Sequence, residues 1–213
     1  MEPVGAALRV FHLTHGKNLA GIIEAGELRC KADLDQQRAR YQNIAYPRIQ
    51  TRRASVAVTC GPAGVIHDYV PFYFCPRSPM LFAHHRRQIE THSEGQRPLI
   101  HLATTVEAII AAGSRWVFSD GHAAMAYTEF FDDLADLHRV DWRVIASRNW
   151  ADTDQDGDRK RRKQAEFLVQ RALPWAAITE IGVLDVGVKR RVLEIVAGAA
   201  HRPAVTVYKA WYY

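Results

Sequence analysis

Four stretches of this chain carry polar residues that a purely structural role does not require. In KQAEFLV (163–169), Glu166 stands at the start of a hydrophobic run, directly after a long polar segment and the cation row RKRRK (159–163). A carboxylate entering a sheet is either a solvated strand end or a functional group held at a cleft. In IQTRR (49–53), Arg52 and Arg53 precede an expected strand. A guanidinium at a strand mouth is a solvated end or a clamp for a diphosphate. In FHLTH (11–15), alternate residues of a strand share a face, so His12 and Thr14 point the same way. A histidine there is more often a satisfied core residue. His12 and His15 also read as two metal ligands, but no third ligand stands at a metal-site spacing. In HDYVPFYFCPRSPML (67–81), Phe72 and Phe74 suit a core, while Tyr69, Pro71 and Tyr73 occupy the other face. Arg77 and Ser78 then sit in a proline-fixed turn suited to a pocket wall.

These groups need elements to hold them. Residues 10–14 read as a first strand, and 18–25 as a helix with Leu19, Ile22 and Ile23 on one side and Gly26 as its C-cap. The polar segment 33–51 suggests a loop or irregular helix. Strands are expected at 56–59, 70–75, 99–102 and 116–118, the last broken at Asp120-Gly121. A helix at 105–112 ends at Gly113. Helical spacing of Phe130, Phe131, Leu134 and Leu137 predicts a helix over 127–138. Further strands at 167–169, 178–181 and 204–207 frame a helix at 189–197. Alternation of strand and helix is not clean, which favours an α+β class over a doubly wound sheet.

A length of 213 residues suits one domain spanning 1–213 with a sizeable core. No run approaches the roughly 18 apolar residues of a membrane span. The first ten residues lack the pattern of a secretion signal. Cys30, Cys60 and Cys75 fit neither a disulfide framework nor a metal knuckle, so a reducing cytoplasm is expected. The net charge of +5 agrees with a polyanionic partner without requiring one. The row 159–163 reads as a solvated loop or as a nucleic-acid funnel.

The same four stretches, in their order and spacing along the chain and together with SDGH (119–122), resemble the DarT family of bacterial DNA ADP-ribosyltransferase toxins. The resemblance runs from FHLTH to the terminal WYY (211–213). It implies the ADP-ribosyltransferase fold: a central split β-sheet, flanking helices and NAD in the cleft between the halves. It implies transfer of ADP-ribose from NAD to thymidine in short contexts of single-stranded DNA, reversed by a macrodomain antitoxin of the DarG kind. A related branch modifies guanosine.

By the same resemblance Glu166 is the catalytic carboxylate, fixing a ribose hydroxyl and favouring oxocarbenium-like charge. Arg53 is the second essential residue, holding the diphosphate and easing loss of the base's ring proton. A guanidinium is almost always protonated, so electrostatic help is the safer role. NAD is held by His12, Leu13, Thr14, Gly21, Leu28 and Arg53. His122, Tyr73 and Met80 are candidates for touching the base, and Lys160, Arg161 and Lys163 for phosphates. The loop 149–162 is where sequence preference would be read. No metal is expected, and a cytoplasmic bacterial monomer is. Two rival readings stand beside this: the same chemistry on RNA or protein, and a single-strand-binding module without catalysis.

Overall fold

The apolar stretches assemble into one eight-stranded sheet, described by a computed structural model that covers residues 7–89 and 92–213. The strands are β1 (Arg9–His15), β2 (Glu27–Arg29), β3 (Tyr69–Tyr73), β4 (Leu99–Thr105), β5 (Trp116–His122), β6 (Phe130–Phe131), β7 (Ala165–Gln170), β8 (Ala172–Pro174), β9 (Glu180–Val183) and β10 (Ala204–Val207). Their order is β10-β9-β4-β1-β3-β7-β5-β6, with β2 and β8 forming a separate pair. All pairings in the large sheet are antiparallel except β9–β10. The helices are α1 (Leu19–Ala25), α2 (Lys31–Gln36), α3 (Pro47–Arg53), α4 (Pro79–His85), α5 (Val106–Ala111), α6 (Trp142–Ala146), α7 (Arg159–Arg162) and α8 (Val186–Val196).

Two strands anchor the two halves. β4 pairs with β1 over seven residues and is buried along nearly its whole length. β7 lies between β3 and β5, with Ala165 to Val169 all buried. Strands covered on both faces read as largely apolar, and both of these do, with His101 and Thr104 in β4 and Glu166 in β7 as the buried polar exceptions. Between the halves, β1 and β3 meet at a single register pair, Phe11↔Tyr73. The sheet is split there.

Local signals account for many boundaries. Gly26 takes the left-handed conformation (φ 70°) and closes α1 through its N–H to Ile23 O. Pro47 opens α3, where its missing N–H costs nothing. Ser78 caps α4 by accepting from Leu81 N, and Pro79 follows at the first helical position.

Four expectations are corrected. Residues 56–59 form no strand, only an Ala57↔Val65 bridge, because Gly61, Ala63 and Gly64 all have positive φ and fold the segment into turns. Segment 33–51 is partly regular, holding most of α2 and α3, so Arg53 ends a helix rather than introducing a strand. Residues 127–138 are not one helix. Phe131 pairs with Phe118 across β5–β6 and their rings stack at 5.2 Å, and a 3-10 turn (Leu134–Arg139) follows, capped by Asp133. Tertiary stacking overrides the helical spacing. β5 also continues through Asp120-Gly121 to His122, with an irregularity in register instead of a break.

Candidate active site

Where the sheet splits, a cavity of about 770 Å³ opens between the halves. His12, Leu13 and Thr14 of β1 form one wall with Gly21 of α1 and Leu28 of β2. Opposite them lie Arg53, Tyr73, Met80, His122 and Glu166. Lys160 and Arg161 reach the same space from α7. Of the residues assigned to catalysis, NAD or DNA, all but Lys163 therefore line one cleft. Arg77 and Ser78, expected in a pocket wall, do not: Ser78 is buried as the cap of α4 and the Arg77 guanidinium lies over the Tyr213 ring. Lys163 is 2% exposed, and its ammonium donates to Ile145 O (2.6 Å) and Ser147 O (2.8 Å). It ties the end of α6 to β7 and is removed from the phosphate set.

Glu166 and Arg53 form a buried bidentate pair. Both terminal nitrogens of Arg53 donate to the carboxylate at 2.9 Å, one to each oxygen. Ala123 N donates to Glu166 Oε1 at 3.1 Å. Behind the side chain, Ser119 Oγ accepts from Glu166 N (3.1 Å) and donates to Gly121 O (2.7 Å). This second layer explains why β5 bends at Asp120-Gly121: the bend delivers Ser119, His122 and Ala123 to the start of β7. Burial pushes the Glu166 carboxyl up, but the charge and hydrogen bonds of Arg53, with His122 and the Ala123 N–H, bring it below the ordinary value. Arg53 is likewise held above its ordinary value by Glu166 against the opposing effect of burial. The pair is a fixed carboxylate and a fixed cation. Arg53 is not poised as a base, and its terminal nitrogens face Glu166 and not an open diphosphate site.

Around the pair burial favours the neutral forms of His12, His122 and Tyr73. Burial drives His12 down to about 4, and its Nδ1–H donates to Pro71 O at 2.8 Å. His122 is also lowered, chiefly by burial, and its Nδ1 accepts from Ala124 N. Burial pushes the Tyr73 hydroxyl well up, and that hydroxyl lies 3.9 Å from Met80 Sδ. Gly21 faces space: a Cβ placed there meets no protein atom within 4 Å. A side chain would occupy the cleft itself, which fits a ligand lying close against α1. The volume and mainly apolar walls with a few convergent polar groups suit a dinucleotide.

The cation row is not a free funnel. Arg161 bridges Asp120 (2.9 Å) and Asp158 (2.8 Å). Arg162 pairs with Asp141, Asp156 and Asp158, and Arg159 lies 4.0 Å from Asp156. The acidic stretch before the row and the Asp residues of neighbouring elements neutralise it. Lys160 is exposed at the mouth of the cleft.

Two site features escaped the sequence reading. Asn18 precedes α1 as a capping residue should, yet makes no cap bond. Its amide instead bonds Thr14 Oγ1 (3.1 Å) and both the N–H and the carbonyl of Gln42, clamping the 39–46 wall to β1. Tyr127, 61% exposed, lines the cleft mouth with the Arg161 guanidinium 5.1 Å from its ring centre. Assigning 127–138 to a helix hid it.

Comparison with known proteins agrees with this geometry. A curated DNA ADP-ribosyl transferase of Thermus aquaticus is 42% identical over 206 residues, covering 96% of this chain and 88% of that protein. Thermus sp. 2.9 DarT in complex with ADP-ribosylated ssDNA superposes with a TM-score of 0.90 at 41% identity, covering 97% of both chains. The same protein in complex with NAD+ gives 0.86 at 38% identity, covering 97% of this chain and 98% of that one. Fold and cleft thus define the class, an NAD-dependent DNA ADP-ribosyltransferase. More narrowly, the chain belongs to the DarT family: the model described as ssDNA thymidine ADP-ribosyltransferase, DarT, matches residues 11–213.

Proposed function

We propose that this chain moves ADP-ribose from NAD to thymidine in single-stranded DNA. In this reading it acts as a monomeric cytoplasmic toxin whose partner macrodomain removes the mark. The observation that supports it most is the ionised Glu166 held by Arg53 and Ala123 N inside a cleft of dinucleotide size.

NAD supplies a ribose whose bond to nicotinamide breaks with the electron pair leaving on the nicotinamide. Glu166 accepts a hydrogen bond from a ribose hydroxyl and stabilises the positive charge that grows on the sugar. Arg53 keeps Glu166 ionised and aimed. The base's ring nitrogen forms the new bond to the sugar carbon and loses its proton to solvent, the positive Arg53 favouring the deprotonated base. The neutral His12, with Thr14 and Asn18, positions the nucleotide along β1. A duplex hides the acceptor nitrogen in its pairing edge, so an unpaired strand avoids that cost.

Tyr127, backed by Arg161, offers an exposed ring for a base beside the acceptor. Base–aromatic stacking contributes about 1–3 kcal/mol. Tyr127→Ala is expected to raise the KM for oligonucleotide about tenfold with NAD hydrolysis unchanged, and Tyr127→Phe to behave as wild type. Equal KM values for all three would remove Tyr127 from the acceptor site. The overall reading is tested by mass spectrometry of single-stranded DNA, duplex DNA and RNA oligonucleotides incubated with NAD. An adduct on thymidine of the single strand is expected. Adducts on guanosine alone, or on RNA alone, would contradict the thymidine assignment.

A further inference from the structure

His15, singled out in the sequence as a metal ligand without a third partner, acquires partners in the fold. We propose that His15, His92 and Glu94 form a binding site for a divalent transition-metal ion, Zn(II) in the first instance, outside the NAD cleft. The ligand atoms of the three residues lie within 4.8 Å of one another. Glu94 Oε2 is 3.1 Å from His15 Nε2 and 3.9 Å from His92 Nε2. Ligands about 2.0–2.2 Å from a tetrahedral Zn(II) stand roughly 3.3 Å apart, so small side-chain shifts close the set and leave a fourth position for water.

The second observation concerns His92 alone. Its side chain is 1% exposed, and neither ring nitrogen has a hydrogen-bond partner among the described residues. An imidazole buried this way leaves both ring nitrogens unsatisfied, which folded proteins rarely tolerate without a reason. A metal bond takes one nitrogen directly. Two buried histidines flank the ring: His15 at 5.3 Å and His84 at 4.7 Å between ring centres. Half-exposed Glu94 (53%) gives the ion both a charge and a route from solvent.

Hydrogen bonding predicts what loading must change. His15 Nδ1 accepts from Lys17 N at 3.0 Å, so the ring proton sits on Nε2 and is donated to Glu94. An ion at Nε2 moves that proton to Nδ1, and the N–H of the exposed Lys17 turns to water. No net proton is released by His15. The Lys17 ammonium opposes the ion and acts on both His15 and Glu94, and Arg97 and Arg191 line the same surface pocket as Glu94.

The site would brace the cleft from behind. His15 follows cleft-lining Thr14 on β1, and His84 donates through Nε2 to the carbonyl of Ile44 (2.8 Å), another cleft-lining residue. His84 Nδ1 is buried without a hydrogen-bond partner among the described residues, in the ring that meets His92 edge-on. The role is structural and independent of the acceptor base.

The test is calorimetric titration of chelator-treated full-length protein with Zn(II), beside Glu94→Gln and His92→Ala. Wild type should bind one equivalent, with a rise in melting temperature of roughly 5–10 °C at a hundredfold excess over Kd. Glu94→Gln changes an exposed side chain, cannot disturb the core, and should weaken binding at least tenfold. His92→Ala should abolish it. Co(II) in place of Zn(II) should show the visible absorption of a tetrahedral site. Equal affinity in wild type and Glu94→Gln would assign the ion to other histidines. Absence of any binding would mean that water satisfies His92. Either result overturns the proposal.

Discussion

Two regions of this molecule put arginines against carboxylates, and they do opposite things. The Arg53–Glu166 pair joins residues 113 apart, is nearly sealed from water, and is met by one further backbone donor on the cleft side. The cluster from Asp156 to Arg162 is mostly local and partly solvated, and Arg161 and Arg162 each share two or more aspartates while Arg159 meets one. In the first, desolvation makes each charge dependent on the other, which fixes protonation states for chemistry. In the second, water reaches most of the aspartates, Arg161 with Asp120 being the most shielded pair, and the gain is a folded loop. Dense charge in sequence marked the stabilised loop. The isolated pair marked the site.

The largest expected effect separates the two by their dependence on pH. Arg53→Ala strands Glu166 in a buried position and should cost about 3–5 kcal/mol at neutral pH. In the wild type the Glu166 carboxyl lies below its ordinary value, so its contribution is present above the unfolded value near 4.3 and lost as pH falls through the folded value. In Arg53→Ala burial dominates and raises that carboxyl, so the penalty shrinks as pH falls and Glu166 takes up a proton. Melting temperatures from pH 8 to 5 should therefore converge. A constant gap would mean that the lost stability comes from packing alone.

A smaller loss is expected in the loop. Asp141→Asn removes one partner of Arg162, at about 0.5–1 kcal/mol, or a fall of roughly 1–4 °C in melting temperature with DNA affinity unchanged. Weaker DNA binding without a change in melting would return Arg162 to the phosphate contacts. The smallest effect belongs to Lys160, exposed at the cleft mouth. Lys160→Ala should lower the salt slope of DNA binding by about 1, while Lys163→Met should destabilise the protein and leave that slope alone. The reverse pattern would exchange their roles.

Much of the frame was legible from local pattern. β1, α1, β4 and β7 follow from apolar runs with glycine or polar stops, and these are the elements that carry Thr14, Gly21 and Glu166. What escaped was non-local. The stacking of Phe131 on Phe118 turned an apparent helix into a strand and a 3-10 turn, and with it the setting of Tyr127. Arg53 was read at a strand mouth because the turns at Gly61 and Gly64 follow an apolar stretch. Lys163 looked like its neighbours in the row, yet the carbonyls that hold it belong to Ile145 and Ser147. No spacing rule links Arg53 to Glu166 or His15 to His92. Family resemblance reached the first pair and said nothing of the second.

The central claim is that Glu166 acts on the sugar while Arg53 holds it ionised. Its most direct test is single-turnover ADP-ribosylation of a thymidine-containing single strand by wild type and Glu166→Gln, with NAD affinity measured on both. Glu166→Gln should bind NAD within a few fold of wild type and transfer ADP-ribose on the order of 10²–10³ times more slowly. Transfer at the wild-type rate with NAD bound would contradict the account and leave Glu166 as a structural partner of Arg53.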